Sequence, residues 1–298
     1  MAGTAALWGS SYMFIKLALD DGLSPGAIVC LRTALGAAVL LPLAIRTGAL
    51  AAARARWPYV VGVSVVQVVI PFLLITLGEQ HIASSLAGIL VAAAPLWNAL
   101  LASRFDRTER PSGWSAVGVL LGIAGVVLLF GVDLAGDRDE LLGGAMVLLA
   151  ALCYAIGPLV VKHRLRGVAP VGVSGGMMLV AAAVTLPLLL ADPPPHAPGA
   201  GTIAGLVVLG AGSTGVAFLW WYTLMREVGP GRGTIVSYLA PPFAVLYGTL
   251  FLGEELGAGA VAGIVLILLG SWLGVGGRSA LSRSGPSRST EPAPVRAR

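Results

Sequence analysis

Ten apolar runs of about 20 residues follow one another along the chain. They lie at about 2–19, 26–45, 57–78, 83–103, 113–130, 142–161, 170–190, 202–222, 233–252 and 258–276. A helix of that length crosses a bilayer core of about 30 Å. Polar or Pro/Gly-rich stretches separate the runs, such as Asp20-Asp21-Gly22, Asp133 to Glu140 and Asp192-Pro193-Pro194-Pro195-His196. Barrel strands are about half as long and alternate with period two, so the runs read as helices. Composition agrees. Only 11% of the residues are charged, against roughly 25% in a soluble domain, too few to cover a water-exposed surface. The expectation is an all-α polytopic membrane protein of ten transmembrane helices in a lipid bilayer.

The net charge of +5 does not point to nucleic acid, because the basic residues form short clusters rather than a continuous face. Those clusters orient the chain. Arg46, Arg54 and Arg56, then Arg104, Arg107 and Arg110, Lys162, Arg164 and Arg166, Arg226 and Arg232, and five arginines of the tail fall on one side. That is 16 of 19 cations, with Arg138 opposite them and Lys16 and Arg32 inside runs. Cytoplasmic loops carry the excess of Lys and Arg. The chain is therefore expected in the cell inner (plasma) membrane with both termini cytoplasmic. Cys30 and Cys153 each lie in an apolar run and read as free, inert thiols.

The two halves repeat each other. Ala6-Leu7-Trp8-Gly9 aligns with Ala151-Leu152-Cys153-Tyr154, and at the same offset of 145 Pro25 meets Pro170 and Leu41-Pro42-Leu43 meets Leu186-Pro187-Leu188. The offset then becomes 147: Thr76-Leu77 meets Thr223-Leu224, and Ala94-Pro95 meets Ala240 with Pro241 or Pro242 within one residue. Further on, Glu109 meets Glu254, Gly118 meets Gly263 and Gly125 meets Gly270. Five spans per repeat is an odd number, so the second copy enters the membrane from the other side. Two inverted five-helix repeats, at 1–131 and 142–277, follow, with a disordered basic cytoplasmic tail at 278–298. Transporters built this way hold substrate near the midplane between repeats. The first run has about eight residues before its repeat mark and its partner about twelve; a short first helix and a start upstream of Met1 both remain open. No basic region precedes this run, which argues against a cleaved signal peptide.

Ala6-Leu7-Trp8-Gly9-Ser10-Ser11, with Lys16, Ser24-Pro25 and Arg32, resembles the start of the EamA-type family of the drug/metabolite transporter superfamily. The repeat ends are similar too: a proline in the fourth helix, an acidic residue, then a Gly-rich fifth helix, as in Glu254-Glu255 and Gly263 to Gly270. The resemblance covers roughly residues 3–276. It implies ten helices, a central cavity between two five-helix bundles, alternating access and a small-metabolite cargo, mostly exported.

Polar and aromatic side chains inside spans are the candidates for substrate contact. Trp8, Tyr12 and Lys16 follow each other by four, on one face of the first helix; helix packing and snorkelling of Lys16, paired with Asp20, are the alternatives. Arg32 lies about 9 Å into the second helix by its rise and needs a partner or water. Gln67, mid-helix, either lines the cavity or bonds across helices. Asn98, Tyr154, Ser237 and Tyr238 complete the set. Pro95, Pro241 and Pro242 mark bent helices that gate the cavity, or static kinks. Trp220, Trp221 and Tyr222 read as an aromatic belt at the interface. The glycines of the fifth and tenth spans read as close packing.

No Asp or Glu falls in the middle of a span. A cationic cargo or an intramembrane carboxylate relay would want one, so the cargo is expected to be neutral, zwitterionic or anionic. No cofactor or metal is expected: His81, His163 and His196 lie in separate loops, no ligand spacing is present, and no P-loop is found. A secondary transporter of a small polar, amino-acid-like metabolite is the leading reading. A channel and, more distantly, a membrane-embedded enzyme are the alternatives. The sequence leaves the oligomeric state open.

Overall fold

The computed structural model describes residues 1–105, 113–132, 137–228 and 235–281. The elements are α1 (Ala2–Asp20), α2 (Pro25–Arg46), a short α3 (Ala49–Arg54), α4 (Trp57–Gly78), α5 (Ser84–Val91), α6 (Ala94–Phe105), α7 (Trp114–Val132), α8 (Arg138–Arg164), α9 (Pro170–Ala191), α10 (200–228), α11 (Ile235–Leu252) and α12 (Ala258–Leu281). Among the described residues, five helices are long and apolar enough to cross a membrane: Pro25–Arg46, Trp57–Gly78, Arg138–Gly157, Pro170–Ala191 and Ala200–Leu224. Shorter apolar stretches, Ser84–Asn98, Ala116–Gly131, Tyr238–Leu252 and Ala258–Leu273, stand beside them. α1 is more polar, with Ser10, Ser11, Tyr12 and Lys16; Ser10 and Ser11 turn their hydroxyls back onto the carbonyl of Leu7. Large apolar side chains such as Leu120, Val127, Leu250, Phe251 and Trp272 face outward, as a lipid-facing belt requires. The chain is an all-α polytopic membrane protein.

Local chemistry sets the helix starts. Ser24 accepts a hydrogen bond from the amide of Ala27 at 3.3 Å, with Pro25 opening α2. Asp137 caps α8 through the amide of Asp139 at 2.8 Å. α12 runs on to Leu281, four residues beyond the expected repeat boundary; 282–298 lie outside the described residues.

The helix pairings carry the internal repeat. α2 packs on α9 and α7 on α12, each a helix against its own mate. α5 likewise packs on its mate α11, and other pairings have counterparts: α1 with α11 and α8 with α5, α4 with α8 and α10 with α1, α2 with α10 and α9 with α4. Exchanging the repeats exchanges the pairs, as a pseudo-two-fold axis demands. Lipid supplies no hydrophobic drive between helices, so close van der Waals contact does the work. The α7–α12 seam is built for it. A methyl added at Gly125 would lie 2.9 Å from the carbonyl oxygen of Gly263, and one added at Gly270 would run into the backbone of Gly122.

The fourth span is broken and the ninth is not. After α5 the amides of Ala92 and Ala93 bond three residues back, to Ile89 and Leu90, and the helix restarts at Ala94 with Pro95 in its first turn. α11 continues through Pro241 and Pro242. Of the two expected bent helices, one is broken into two segments, while the other stays a single helix although its two prolines donate no hydrogen bond.

Candidate functional site

Two mate positions are distorted alike. α4 contains a π-helical stretch at Val65–Val69 and α10 one at Val208–Val216. Such stretches open the backbone ladder and are frequent at functional sites. Gln67 lies in the first and Thr214 in the second, separated by the repeat offset of 147. Each meets a partner on another helix. The amide oxygen of Gln67 accepts from the hydroxyl of Tyr222 at 3.3 Å. The hydroxyl of Thr214 accepts from Nε of Arg32 at 3.2 Å and donates to the carbonyl of Leu209 at 2.8 Å. Gln67 thus bonds across helices, the second of its two expected roles.

Arg32 is the centre of the arrangement. It is only 4% exposed. Its guanidinium carbon stands 3.7 Å from the centre of the Phe72 ring, a cation–π contact that replaces part of its lost hydration. Among the described residues its terminal Nη1 and Nη2 make no hydrogen bond. Tyr12, Tyr154 and Glu79 are its electrostatic neighbours. The repeat mate of Arg32 is Met177, so the cation belongs to one repeat alone.

An aromatic cluster lies against Phe72. Phe72 meets Phe218 edge-on at 6.3 Å, Trp8 meets Phe218 at 5.9 Å and Trp221 at 5.8 Å, and Trp221 meets Tyr222 at 4.8 Å. Trp8 also donates its indole N–H to the carbonyl of Ser213 at 3.2 Å. This corrects the belt expectation. Trp220 is 50% exposed and faces outward, while Trp221 and Tyr222 are 8% and 7% exposed and face inward. Consecutive residues on a helix point about 100° apart, so the three cannot share one surface.

The other candidates divide. Tyr12 is buried against Gly88 of α5, where α1, α5 and Ala244 of α11 converge. Lys16 pairs with Asp20 at 3.7 Å and donates to the backbone carbonyl of Glu79 at 3.4 Å. It lines a cavity of about 420 Å³ with Asp20, Ser24, Gln80 and Asp192, at the acidic end of the bundle. Asn98 and Tyr154 are half-buried. The side chain of Ser237 lies outside the described residues. Tyr238 donates to the carbonyl of Ser271 at 2.9 Å, and the Ser271 hydroxyl donates to the carbonyl of Ala92 at 3.3 Å. That chain ties α11 and α12 to the break in the fourth span and supplies a donor to a carbonyl that the interrupted helix leaves free.

Five residues escaped the sequence reading: Thr214, Ser271, Glu79, Phe72 and Phe218. Aligning Gln67 at the offset of 147 points to Thr214; Ser271 gives no such signal. Glu79 follows the last residue of α4 and has an exposure of 0%. Spans without a central acid therefore did not exclude a buried one.

A second cross-repeat tie lies at the acidic end. α11 ends at Leu252, the following Gly253 has a φ of +66° that suits a glycine, and the amide of Glu254 bonds back to Gly248 at 3.1 Å. This turn aims the Glu254 carboxylate at the start of α5, where it accepts from the amides of Ser84 at 2.7 Å and Ser85 at 2.9 Å. A carboxylate is favourable at a helix N-terminus.

Two inverted five-helix repeats around a buried arginine define a membrane transporter rather than a soluble binding protein. The sequence profile of the EamA-like transporter family matches residues 1–131 and 141–275, and the chain belongs to that family. An uncharacterized transporter of Archaeoglobus fulgidus is 28% identical over 92% of this chain and 96% of its own. A probable terminal-alkyne amino-acid exporter of Streptantibioticus cattleyicolor is 29% identical over 89% of this chain and 90% of its own. One solved crystal structure superimposes with a TM-score of 0.66 over 95% of this chain and 96% of that one, at 22% identity; it shares the fold.

Proposed function

We propose that this transporter is a secondary carrier that exports a small amino-acid-like metabolite by alternating access. The observation that carries the reading is Arg32. It is a buried cation held by Thr214 and Phe72 through its inner part, with both terminal nitrogens uncommitted among the described residues. A planar guanidinium in that state suits a carboxylate, which it can take with two parallel bonds. The aromatic cluster of Trp8, Phe72 and Phe218 supports an apolar side-chain pocket beside it. The amino-acid exporter among the relatives supports the same class of cargo.

Gating belongs to the broken fourth span and its mate, through Pro95 and the Pro241-Pro242 pair. The arginine-rich end is cytoplasmic by the charge rule, which places both termini inside and Lys16 with its cavity outside, in the plasma membrane. Convergent acid–base machinery is not needed for such a carrier, and the reading is non-enzymatic.

The test is a thermal-shift screen of the purified chain against a metabolite library, repeated with Arg32→Gln. Carboxylate-bearing hits should stabilise the native chain and lose their effect in the variant. Hits that shift both proteins equally would remove Arg32 from the site.

A further inference from the structure

Glu79 has no role in the carboxylate site just described, and its environment is unusual. It follows the span Trp57–Gly78 and is fully covered. Neither of its carboxylate oxygens has a hydrogen-bond partner among the described residues. The groups around it are mixed. α1 contributes Tyr12, Lys16 and Asp20, α2 contributes Arg32, and the turn after α11 contributes Glu254. α8 contributes Tyr154 near Tyr12 and Arg32. Its first turn carries Arg138, Asp139 and Glu140, close to where Gly143 packs on the carbonyl of Gly78. Gln80 and His81 follow in the chain.

Neither nearby cation pairs with its carboxylate among the described residues. Lys16 pairs with Asp20 and spends a hydrogen bond on the backbone carbonyl of Glu79, not on its carboxylate. Arg32 bonds to Thr214 and stacks on Phe72, and makes no hydrogen bond to Glu79. Glu254 adds a like charge while tied to Ser84 and Ser85. A carboxylate without a hydrogen-bond partner is among the costliest groups to bury. A proton on the carboxyl removes that cost within a fully covered space.

We propose that Glu79 is a proton-exchange site of the carrier, protonated in this conformation and discharging toward the Lys16 cavity when α1 and α4 move apart. In the exchange the carboxyl O–H bond breaks, the proton passes to water in the cavity, and the electron pair stays on the carboxylate, which then faces Lys16. The cavity lined by Lys16, Asp20 and Gln80 lies beside the Glu79 backbone, so the path is short. The link to transport rests on the carrier reading; the titration does not. It also revises the expectation, drawn from spans without central acids, that no carboxylate relay operates here.

The experiment is infrared difference spectroscopy of the reconstituted full chain, titrated in H₂O and D₂O, with protons as the probe. The expected result is a carboxylic C=O band, sensitive to deuterium, that persists well above the ordinary glutamate value of about 4.3. It should vanish in Glu79→Gln and disappear at lower pH in Glu254→Gln, which removes the neighbouring like charge. If Glu79→Gln does not fold, Glu79→Asp serves instead and must move the band. Absence of such a band in the native chain, or a band unmoved by every variant, overturns the proposal. No substrate is needed, so failure here leaves the carrier reading standing, and failure of the metabolite screen leaves the titration valid.

Discussion

The hydroxyl of Ser271 donates to the carbonyl of Ala92 across the repeat boundary, at 3.3 Å. The fourth span is interrupted at Ala92 and Ala93, just before Pro95, and a backbone carbonyl freed inside a membrane protein costs energy unless something takes it up. Ser271 does so from the other repeat. The break and its partner therefore stand or fall together. Ser271→Ala should lower stability by about 1 kcal/mol, the usual net value of such a bond, seen as a lower melting temperature in detergent. An unchanged melting temperature would mean the carbonyl finds another partner.

The α7–α12 seam makes a steric prediction. Gly270 faces the backbone of Gly122 and Gly118, and Gly125 faces that of Gly263. Backbone cannot step aside as a side chain can. Gly270→Val should cost at least the 1–3 kcal/mol or so typical of overpacking and yield aggregated protein on size exclusion. Gly62→Ala, where an added methyl meets nothing within 4 Å, is the control and should elute as the native chain does.

Arg32→Gln keeps polarity and removes the charge. A charge-assisted hydrogen bond is worth about 1.5–3 kcal/mol, roughly ten- to a hundredfold in affinity. Carboxylate-bearing substrates should lose that much apparent affinity, read by titrated thermal shift. Thr214→Ala should lose less, because it only positions the guanidinium. Equal losses would mean that Thr214 itself touches the substrate.

Glu254 accepts from two backbone amides at the start of α5. Glu254→Ala leaves both without an acceptor and should cost about 0.5–2 kcal/mol, as lost helix caps do. Glu254→Gln keeps an acceptor and should cost less. Thermal denaturation of the two variants side by side checks the order.

Asp21, in the loop after α1, accepts from the amide of Gly199 at 2.9 Å. That bond, and after it the Thr202 side chain, hold its carboxyl below the usual carboxylate range. A depressed folded value stabilises the protein above the unfolded value and loses that contribution as pH falls through the folded one. Acidification below about pH 4 should thus lower the melting temperature of the native chain more than that of Asp21→Asn. Parallel acid curves for the two would remove Asp21 from the link between these loops.

The sequence announced the spans, the repeat and Arg32 because each is a local pattern: length of apolar run, offset of matching residues, a lone charge in a run. Positions that depend on how helices meet were harder to see. Thr214 stands among small residues and looks like packing until Gln67 is laid over it at the repeat offset. Glu79 sits one residue past an apolar run and looks like an interfacial acid. Its burial comes from the helices around it, which no window of sequence contains. Trp221 and Tyr222 were misplaced for a simpler reason, since a run of three aromatics cannot all face one side of a helix.

The central claim is that one site, at Arg32, is offered in turn to the two ends of the bundle. Counterflow in proteoliposomes tests it most directly, using the metabolite that gives the largest thermal shift. Vesicles preloaded with unlabelled compound should take up labelled compound in a saturable, transient overshoot, and Arg32→Gln should abolish it. Steady, non-saturating entry with no overshoot would mark an open pore and contradict the account.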